Sequence, residues 1–169
     1  NTACRIVLPS ILAPFRKSRN YKKNLHEVKE IIPYKDCFYY NTAMYKVRIE
    51  DDFAAAHFLR DYHGKCENLH GHNYKVYVYL KGEQLNEGGM LYDFTFLKRD
   101  LKTVLSKLDH TNLNDLVENG NEVFAQNPSA ERIAKYIFDS LCSLSEDLKK
   151  LLYRVDVFET DRNRASFEI

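Results

Sequence analysis

Two segments of the chain alternate between apolar and polar residues, a period of two that is typical of β-strands. The first strand is predicted over residues 45–58, with an interruption or bulge near the acidic pair at Asp51. The second strand is predicted over residues 70–81 and places four apolar side chains on one face: Tyr74, Val76, Val78 and Leu80.

Apolar residues spaced by three and four predict two amphipathic helices in the middle of the chain. The first covers residues 95–108, with its stripe at Leu97, Leu101, Val104, Leu105 and Leu108. The second begins around Asn127, which can cap a helix, and Pro128, which suits the first helical position. Its stripe consists of Ile133, Ala134, Ile137, Phe138 and Leu141, and a short helix is predicted to follow over 145–152.

Alternation returns at the C-terminus, where residues 153–159 and 165–168 can pair across a turn at 161–164. The order of elements is therefore strands, helices, strands. Two hairpins around a helical middle indicate an α+β domain, with a four-stranded antiparallel sheet and helices on one face. A doubly wound parallel sheet does not fit this order.

Composition narrows the function classes. The chain has 169 residues, and 25 Lys and Arg against 24 Asp and Glu give a net charge of +1, which disfavours a general nucleic-acid binder. Spanning a bilayer takes about 20 apolar residues, and we find no such run, so a membrane role is not expected. Four scattered cysteines are expected to be thiols, which favours a reducing, cytoplasmic location.

The first 43 residues differ from the rest, and we predict a basic N-terminal extension over 1–43 and one domain over 44–169. Asn1 to His26 contains six Lys and Arg residues but no acidic residue. A solvated extension is the favoured interpretation. An organellar targeting segment, an artefact of the assigned start and an RNA-associated role stay open.

Three histidines form the candidate metal site. His70 and His72 are two residues apart at a strand start, so both imidazoles point to one side. A His-Gly-His triplet alone is more often a polar turn, and a lone histidine such as His57 in an apolar stretch is more often a hydrogen-bonded core residue. Together the three offer neutral nitrogen ligands that suit a catalytic zinc ion with one open position.

Three further sites are candidates for acid–base chemistry. Cys66 lies in a polar, loop-like stretch where a thiolate could be accessible, although a buried thiol is the usual state of a free cysteine. Asp109 and His110 follow the first helix, where capping explains polar residues and a proton relay with Cys66 is the functional alternative. Glu159 shares its strand face with buried valines, so its carboxylate could hold the N–C–N edge of a ligand such as a pterin; a solvated strand end explains it equally well.

The ordered motifs of the domain resemble those of the 6-pyruvoyltetrahydropterin synthase superfamily over residues 45–169. They are Phe53-Ala-Ala-Ala-His57, Cys66-Glu-Asn-Leu-His70-Gly-His72, Gly89-Met-Leu-Tyr-Asp93-Phe, Leu108-Asp109-His110-Thr-Asn-Leu-Asn114, Asn127-Pro-Ser-Ala-Glu131 and Phe158-Glu159-Thr160. Three residues separate Cys66 from His70, rather than five, which is similar to the 6-carboxytetrahydropterin synthase branch that feeds 7-deazaguanine and queuosine synthesis.

This resemblance implies a tunnelling fold, in which subunits of a homo-oligomer, a hexamer, complete a β-barrel and form active sites between them. It implies zinc bound by His57, His70 and His72, and Cys66 as the proton acceptor. His110 with Asp109 would assist the relay. Glu159 would anchor the pterin ring and take part in the relay, and Ser129 and Glu131 would line the pocket, whereas Asp93 is interpreted as a structural turn residue.

The implied reaction converts 7,8-dihydroneopterin triphosphate to 6-carboxy-5,6,7,8-tetrahydropterin, releasing acetaldehyde and triphosphate. Only 13 positions separate His57 from His70, so substrate contacts that a longer loop makes in relatives are not expected here. Two alternatives stay open. One is the classical 6-pyruvoyl synthase reaction on the same substrate, and the other is a non-catalytic zinc- or pterin-binding module.

Overall fold

The computed structural model describes residues 43–169. The predicted N-terminal extension lies outside the described residues except for its last position. The domain predicted from residue 44 contains seven strands and three α-helices in this order: β1 (Tyr45–His57), β2 (His70–Gly82), α1 (Phe94–Leu105), β3 (Thr111–Asn112), β4 (Val117–Glu118), β5 (Asn121–Glu122), α2 (Ala130–Leu144), α3 (Glu146–Leu151), β6 (Leu152–Thr160) and β7 (Asn163–Glu168).

The main sheet has five strands in the order β3-β1-β2-β6-β7, which corrects the prediction of a four-stranded antiparallel sheet. The four long strands are antiparallel neighbours, as expected from the two hairpins. The additional strand, β3, has only two residues and pairs in parallel with Ala55 and Ala56 of β1. A strand this short leaves no alternating pattern in the sequence. Within residues 43–169, β4 and β5 form a separate two-stranded sheet.

The core lies between one face of the sheet and the helices. Tyr74, Val76, Val78 and Leu80 of β2 are fully buried, and so are Leu97 and Leu101 of α1 and Ile133, Ile137 and Leu141 of α2. These are the strand face and the helical stripes predicted from periodicity. The α+β class with helices packed on the sheet is therefore confirmed.

Three local predictions were wrong. No bulge interrupts β1, which pairs with β2 without a break from Tyr45 opposite Gly82 to His57 opposite His70, because its buried residues keep one parity through Asp51. Helix α1 ends at Leu105, and Leu108 is buried in the following turns. The N-cap of α2 is Ser129 rather than Asn127, whose side chain bonds to the backbone of Arg60 instead.

The sheet face opposite the helices is polar and aromatic. Asp156 on β6 is fully buried there and accepts hydrogen bonds from Arg154 at 2.6 and 3.0 Å and from Tyr79 at 3.0 Å. Burial alone would raise the pKa of Asp156, but the hydrogen bonds from Arg154, Ser166 and Tyr79 outweigh it and lower the pKa. Among the described residues, no helix has the length and apolar character of a membrane span.

We expect Leu101→Ala to destabilise the domain by about 2–5 kcal/mol, because it removes a fully buried side chain and leaves a cavity under the sheet. Leu144→Ala is the matched control, since Leu144 is 47% exposed at the end of α2. Urea unfolding of both variants at one protein concentration measures the difference. Equal midpoints for the two variants would contradict the assigned core.

Candidate functional site

Three histidines converge where the hairpin of β1 and β2 meets its connecting loop. His57 ends β1 directly opposite His70, which begins β2, and His72 follows on the same face opposite Ala55. One ligand nitrogen from each ring lies within 4.8 Å of the others, and the ring centroids are 4.5 to 5.3 Å apart. The predicted juxtaposition of His57, His70 and His72 is therefore present in the fold.

Backbone carbonyls fix the orientation of two of the rings. His57 Nδ1 is 2.9 Å from the carbonyl oxygen of Pro128, and His70 Nδ1 is 2.7 Å from that of Asn68. A carbonyl can only accept a hydrogen bond, so each neutral ring carries its proton on Nδ1 and keeps a lone pair on Nε2. This second layer of contacts is the one that metal-binding histidines usually have.

The site fits a cation. His57 is 1% exposed, and its Nε2 is buried without a hydrogen-bond partner among residues 43–169. That nitrogen lies 3.3 Å from Glu159 Oε1, and His72 Nε2 lies 3.7 Å from the same oxygen. The lone pair of His57 Nε2 facing a carboxylate oxygen at this distance is unfavourable unless a positive charge lies between them. A metal ion would supply that charge and a partner for the orphaned nitrogen.

The protonation state of His57 also suits a metal ligand. Burial lowers the pKa of His57 and outweighs the hydrogen bond to Pro128; neighbouring His70 and His72 lower it further against the opposing effect of Glu159. The imidazole is therefore neutral near pH 7, as coordination requires. Three neutral imidazoles with an open position are the donor set of catalytic zinc.

A cavity of about 350 Å³ adjoins His57 and collects four further predicted site residues. They are Cys66, Ser129, Glu131 and Glu159. This volume lies at the lower end of the range for small-molecule sites. Tyr62, Asn163 and Arg164 also line the cavity, and no motif or periodicity in the sequence marked them.

The loop that carries Cys66 is held against the end of β1. Residues Lys65–Glu67 form a single 3₁₀ turn, and the carbonyl of Cys66 accepts a hydrogen bond from the Leu59 amide at 2.8 Å. The thiol is partly exposed and free. The expectation of an accessible cysteine in a polar loop agrees with this placement, whereas its role in proton transfer stays a prediction.

Asp109 and His110 lie outside this cavity within one chain. His110 lines a second, more open recess of about 540 Å³ at the edge where β3 meets β1. Asp109 Oδ1 accepts hydrogen bonds from the Ala54 amide at 2.9 Å and from His110 Nδ1 at 3.0 Å, and these contacts lower the pKa of Asp109. The pair therefore braces the edge of β1 rather than capping a helix.

His110 is held in an unusual conformation. Its φ is 57°, in the left-handed region that non-glycine residues rarely adopt, and its side chain is 82% exposed. Its amide donates to the carbonyl of Ala54 at 2.6 Å. The structure does not bring His110 together with Cys66 within a single chain.

Other residues near the histidines carried no signal of function in the sequence. Tyr74 stacks on Phe53 and contacts His57 and His72 edge-on, and its buried hydroxyl has no hydrogen-bond partner among the described residues. Burial raises the pKa of Tyr74, and the nearby Glu159 carboxylate raises it further. Periodicity marked this tyrosine only as core. The hydrogen bonds to the carbonyls of Pro128 and Asn68 could not be predicted either, because every residue has a backbone carbonyl and no sequence pattern marks the ones that bind a histidine.

The motifs and geometry agree with a comparison against known families. The sequence pattern of the family described as 6-pyruvoyl tetrahydropterin synthase matches residues 46–169. The chain belongs to this family. Its fold is shared with the solved structure of Caenorhabditis elegans 6-pyruvoyl tetrahydropterin synthase, which is 33% identical, with a TM-score of 0.67 over 76% of this chain and 97% of that one.

Relatives of the chain carry two different names. A putative 6-pyruvoyl tetrahydrobiopterin synthase from Caenorhabditis elegans is 36% identical over 125 residues, 67% of this chain and 86% of the relative. A 6-carboxy-5,6,7,8-tetrahydropterin synthase from Synechocystis is 35% identical over 129 residues, 73% of this chain and 93% of the relative. Overall identity therefore supports tetrahydropterin synthesis but does not choose between the two reactions.

We expect His57→Ala to lower the zinc content of the purified protein well below that of the wild type, because it removes one of the three candidate ligands of the cluster. Second-layer changes alone cost about 10- to 100-fold in metal affinity, so loss of a ligand should cost at least that much. His63→Asn is the control: His63 is exposed, outside the cluster, and has a φ of 56° that Asn tolerates. Metal analysis after dialysis gives the zinc content, and wild-type content in His57→Ala would contradict the site.

Proposed function

We propose that the protein converts 7,8-dihydroneopterin triphosphate to 6-carboxy-5,6,7,8-tetrahydropterin with release of acetaldehyde and triphosphate, in queuosine and 7-deazaguanine synthesis. One observation carries this proposal: His57 of the histidine cluster, the free thiol of Cys66 and the carboxylate of Glu159 border one cavity. The three-residue spacing between Cys66 and His70 favours the 6-carboxy reaction. Relatives named for that reaction, such as the one from Synechocystis, support it.

The zinc ion is proposed to be held by His57, His70 and His72, whose Nε2 lone pairs are the donors available at His57 and His70. When bound, zinc would act as a Lewis acid toward the hydroxyl groups of the substrate side chain. The protein residues orient the ligands and move the protons. Burial keeps the His57 ring neutral, and the hydrogen bond to the Pro128 carbonyl orients it with its Nε2 lone pair free for the metal.

Cys66 is proposed to take a proton from a carbon of the substrate side chain and to return it. A cysteine is suited to this because a positioned thiolate can take up and return a proton in general acid–base catalysis. We place the reaction in the cytoplasm, where a thiol remains reduced. Neither Cys66 nor Cys142 forms a disulfide within residues 43–169.

Glu159, Ser129 and Glu131 are proposed to hold the pterin. Glu159 lines the cavity and contacts two histidines, so it is placed both to accept hydrogen bonds from the N–C–N edge of a pterin and to exchange protons near the metal. Ser129 and Glu131 lie at the N-terminus of α2 on the same cavity wall. This N-terminus also favours negative charge nearby.

Asp109 and His110 are proposed to act in the cavity of a neighbouring copy in a homo-oligomer. In one chain they lie at the outer edge of β1, away from Cys66, with the His110 ring exposed. The polar sheet face opposite the helices, with Arg154, Tyr79 and Asp156, is suited to the interior of a barrel shared by several copies. A hexamer is the assembly implied by the resemblance.

We expect Cys66→Ala to keep the fold and the zinc content but to lose at least 100-fold of its kcat, because general acid–base groups contribute about that much. The loss is measured as the rate of turnover of the pterin triphosphate, which is monitored by the release of triphosphate. Cys142→Ala is the matched control, since Cys142 lies on α2 and outside the cavity. Full activity of Cys66→Ala would remove the thiol from the mechanism.

The nature of the product separates the proposed reaction from its nearest rival. The 6-pyruvoyl reaction is the second candidate because relatives from Caenorhabditis elegans and Drosophila melanogaster carry that name. We expect wild-type protein to yield the 6-carboxy compound and acetaldehyde, as identified by mass spectrometry. A 6-pyruvoyl product without acetaldehyde would select the rival, and zinc binding without turnover would select a non-catalytic module.

Complementation tests the shared site. Cys66→Ala and His110→Ala should each be nearly inactive, but their co-expressed mixture should regain about a quarter of wild-type turnover, since random assembly pairs an intact cavity with an intact neighbour at that frequency. A mixture of Cys66→Ala with the Cys66→Ala/His110→Ala double variant is the control, because no intact cavity can form. No recovery in the first mixture would place His110 outside the neighbouring site.

A further inference from the structure

The chain leaves the sheet after His57, yet its next residues are hydrogen-bonded as if a strand lay beside them. The Phe58 amide donates to Asn114 Oδ1 at 2.9 Å, and Asn114 Nδ2 donates back to the Phe58 carbonyl at 3.0 Å. The Arg60 amide donates to Asn127 Oδ1 at 2.6 Å, and Asn127 Nδ2 donates to the Arg60 carbonyl at 3.2 Å. Each primary amide thus replaces one residue of an antiparallel partner strand.

Leu59, between these two clamped residues, bonds in another direction. Its amide donates to the carbonyl of Cys66 at 2.8 Å. The segment of residues 58–60 is therefore tied to Asn114 and Asn127 through its first and last residues and to the Cys66 loop through its middle residue. Moving this segment would shift the thiol relative to His57.

Asn127 also connects the segment to the side of the cavity that His57 lines. The next residue, Pro128, accepts the hydrogen bond from His57 Nδ1, and the one after it, Ser129, lines the cavity. The guanidinium of Arg60 reinforces the connection, since Nη1 donates to the carbonyls of Phe124 at 3.3 Å, Ala125 at 3.1 Å and Gln126 at 3.3 Å. The two chain segments that meet at the cavity are thereby locked together at Arg60 and Asn127.

We propose that Asn127 is a positioning residue, whose amide sets the Pro128 carbonyl against His57 and holds Cys66 at a fixed place beside the histidine cluster. The proposal rests on the proposed function in taking the histidines and Cys66 as the working groups. Among the described residues, the Asn127 side chain does not line the cavity and does not hydrogen-bond to a histidine of the cluster. It acts through Pro128 and through residues 58–60.

The test uses Asn127→Ala, with Asn121→Ala as the matched control. Asn121 is exposed and its side chain bonds only to the nearby carbonyl of Asn119 at 3.2 Å among the described residues. We expect Asn127→Ala to bind zinc about 10-fold more weakly in a chelator competition, as for other second-layer changes. The visible spectrum of the Co²⁺-loaded protein should also change, because it reports ligand geometry rather than folding.

Thiol labelling of the metal-free protein gives a second measurement that needs neither zinc nor turnover. The rate at Cys66 relative to that at Cys142, read by mass spectrometry, should change severalfold in Asn127→Ala and stay at the wild-type value in Asn121→Ala. If Asn127→Ala unfolds, Asn127→Asp serves instead: it keeps the acceptor for the Arg60 amide, loses the donor to the Arg60 carbonyl, and should show the same changes at smaller size.

Wild-type zinc affinity, Co²⁺ spectrum and labelling ratio in a folded Asn127 variant would overturn the positioning role. This outcome is distinct from failure of the proposed function. Wild-type protein that binds no zinc or releases no acetaldehyde would contradict the function, while the labelling ratio would still decide whether Asn127 holds Cys66 in place.

Discussion

The buried imidazole of His57 is the constraint on which the rest of the site depends. A polar ring with 1% exposure needs a partner for each nitrogen, since an unpaired buried polar atom costs about 1–3 kcal/mol. Pro128 satisfies Nδ1, but Nε2 faces the Glu159 carboxylate and has no hydrogen-bond partner among residues 43–169. A cation among His57, His72 and Glu159 removes this cost, so the polar atoms that would destabilise a metal-free core are the ones that favour metal binding.

The sheet supplies the precision that such a cluster needs. The pairing of β1 with β2 runs without a break to His57 opposite His70, so the histidines are fixed by the same ladder that fixes the core. A slip of one residue would turn the β2 histidines to the polar face and would expose Tyr74. Register errors at the site are therefore opposed by the burial energy of the entire strand, not by the ligands alone.

Much of this arrangement could be predicted from the sequence because it follows from strand parity. Parity placed His70 and His72 on one side and Glu159 on the buried face, and both placements agree with the structure. The two residues of β3 are too few to form a pattern, so the parallel edge strand was missed. Asn127 was interpreted as a helix cap because capping is a local signal, whereas its actual partner, Arg60, is 67 residues away. The position of Asp109 also depends on a distant contact, the Ala54 amide, 55 residues away.

Strand β1 positions both a proposed metal ligand and the proposed proton-relay pair, and this constrains how copies of the chain can assemble. His57 projects from its face toward the cavity, while Ala54, three residues earlier, holds the Asp109–His110 pair at its edge. If His110 of one copy serves the cavity of the next, the surfaces that meet are different on the two copies. Contacts of this kind repeat in one rotational sense and must close into a ring to be finite. A closed ring that extends the sheet from copy to copy also covers the unpaired backbone groups at its edges, which are otherwise open to aggregation. The proton relay and the barrel would then be two consequences of the same interface.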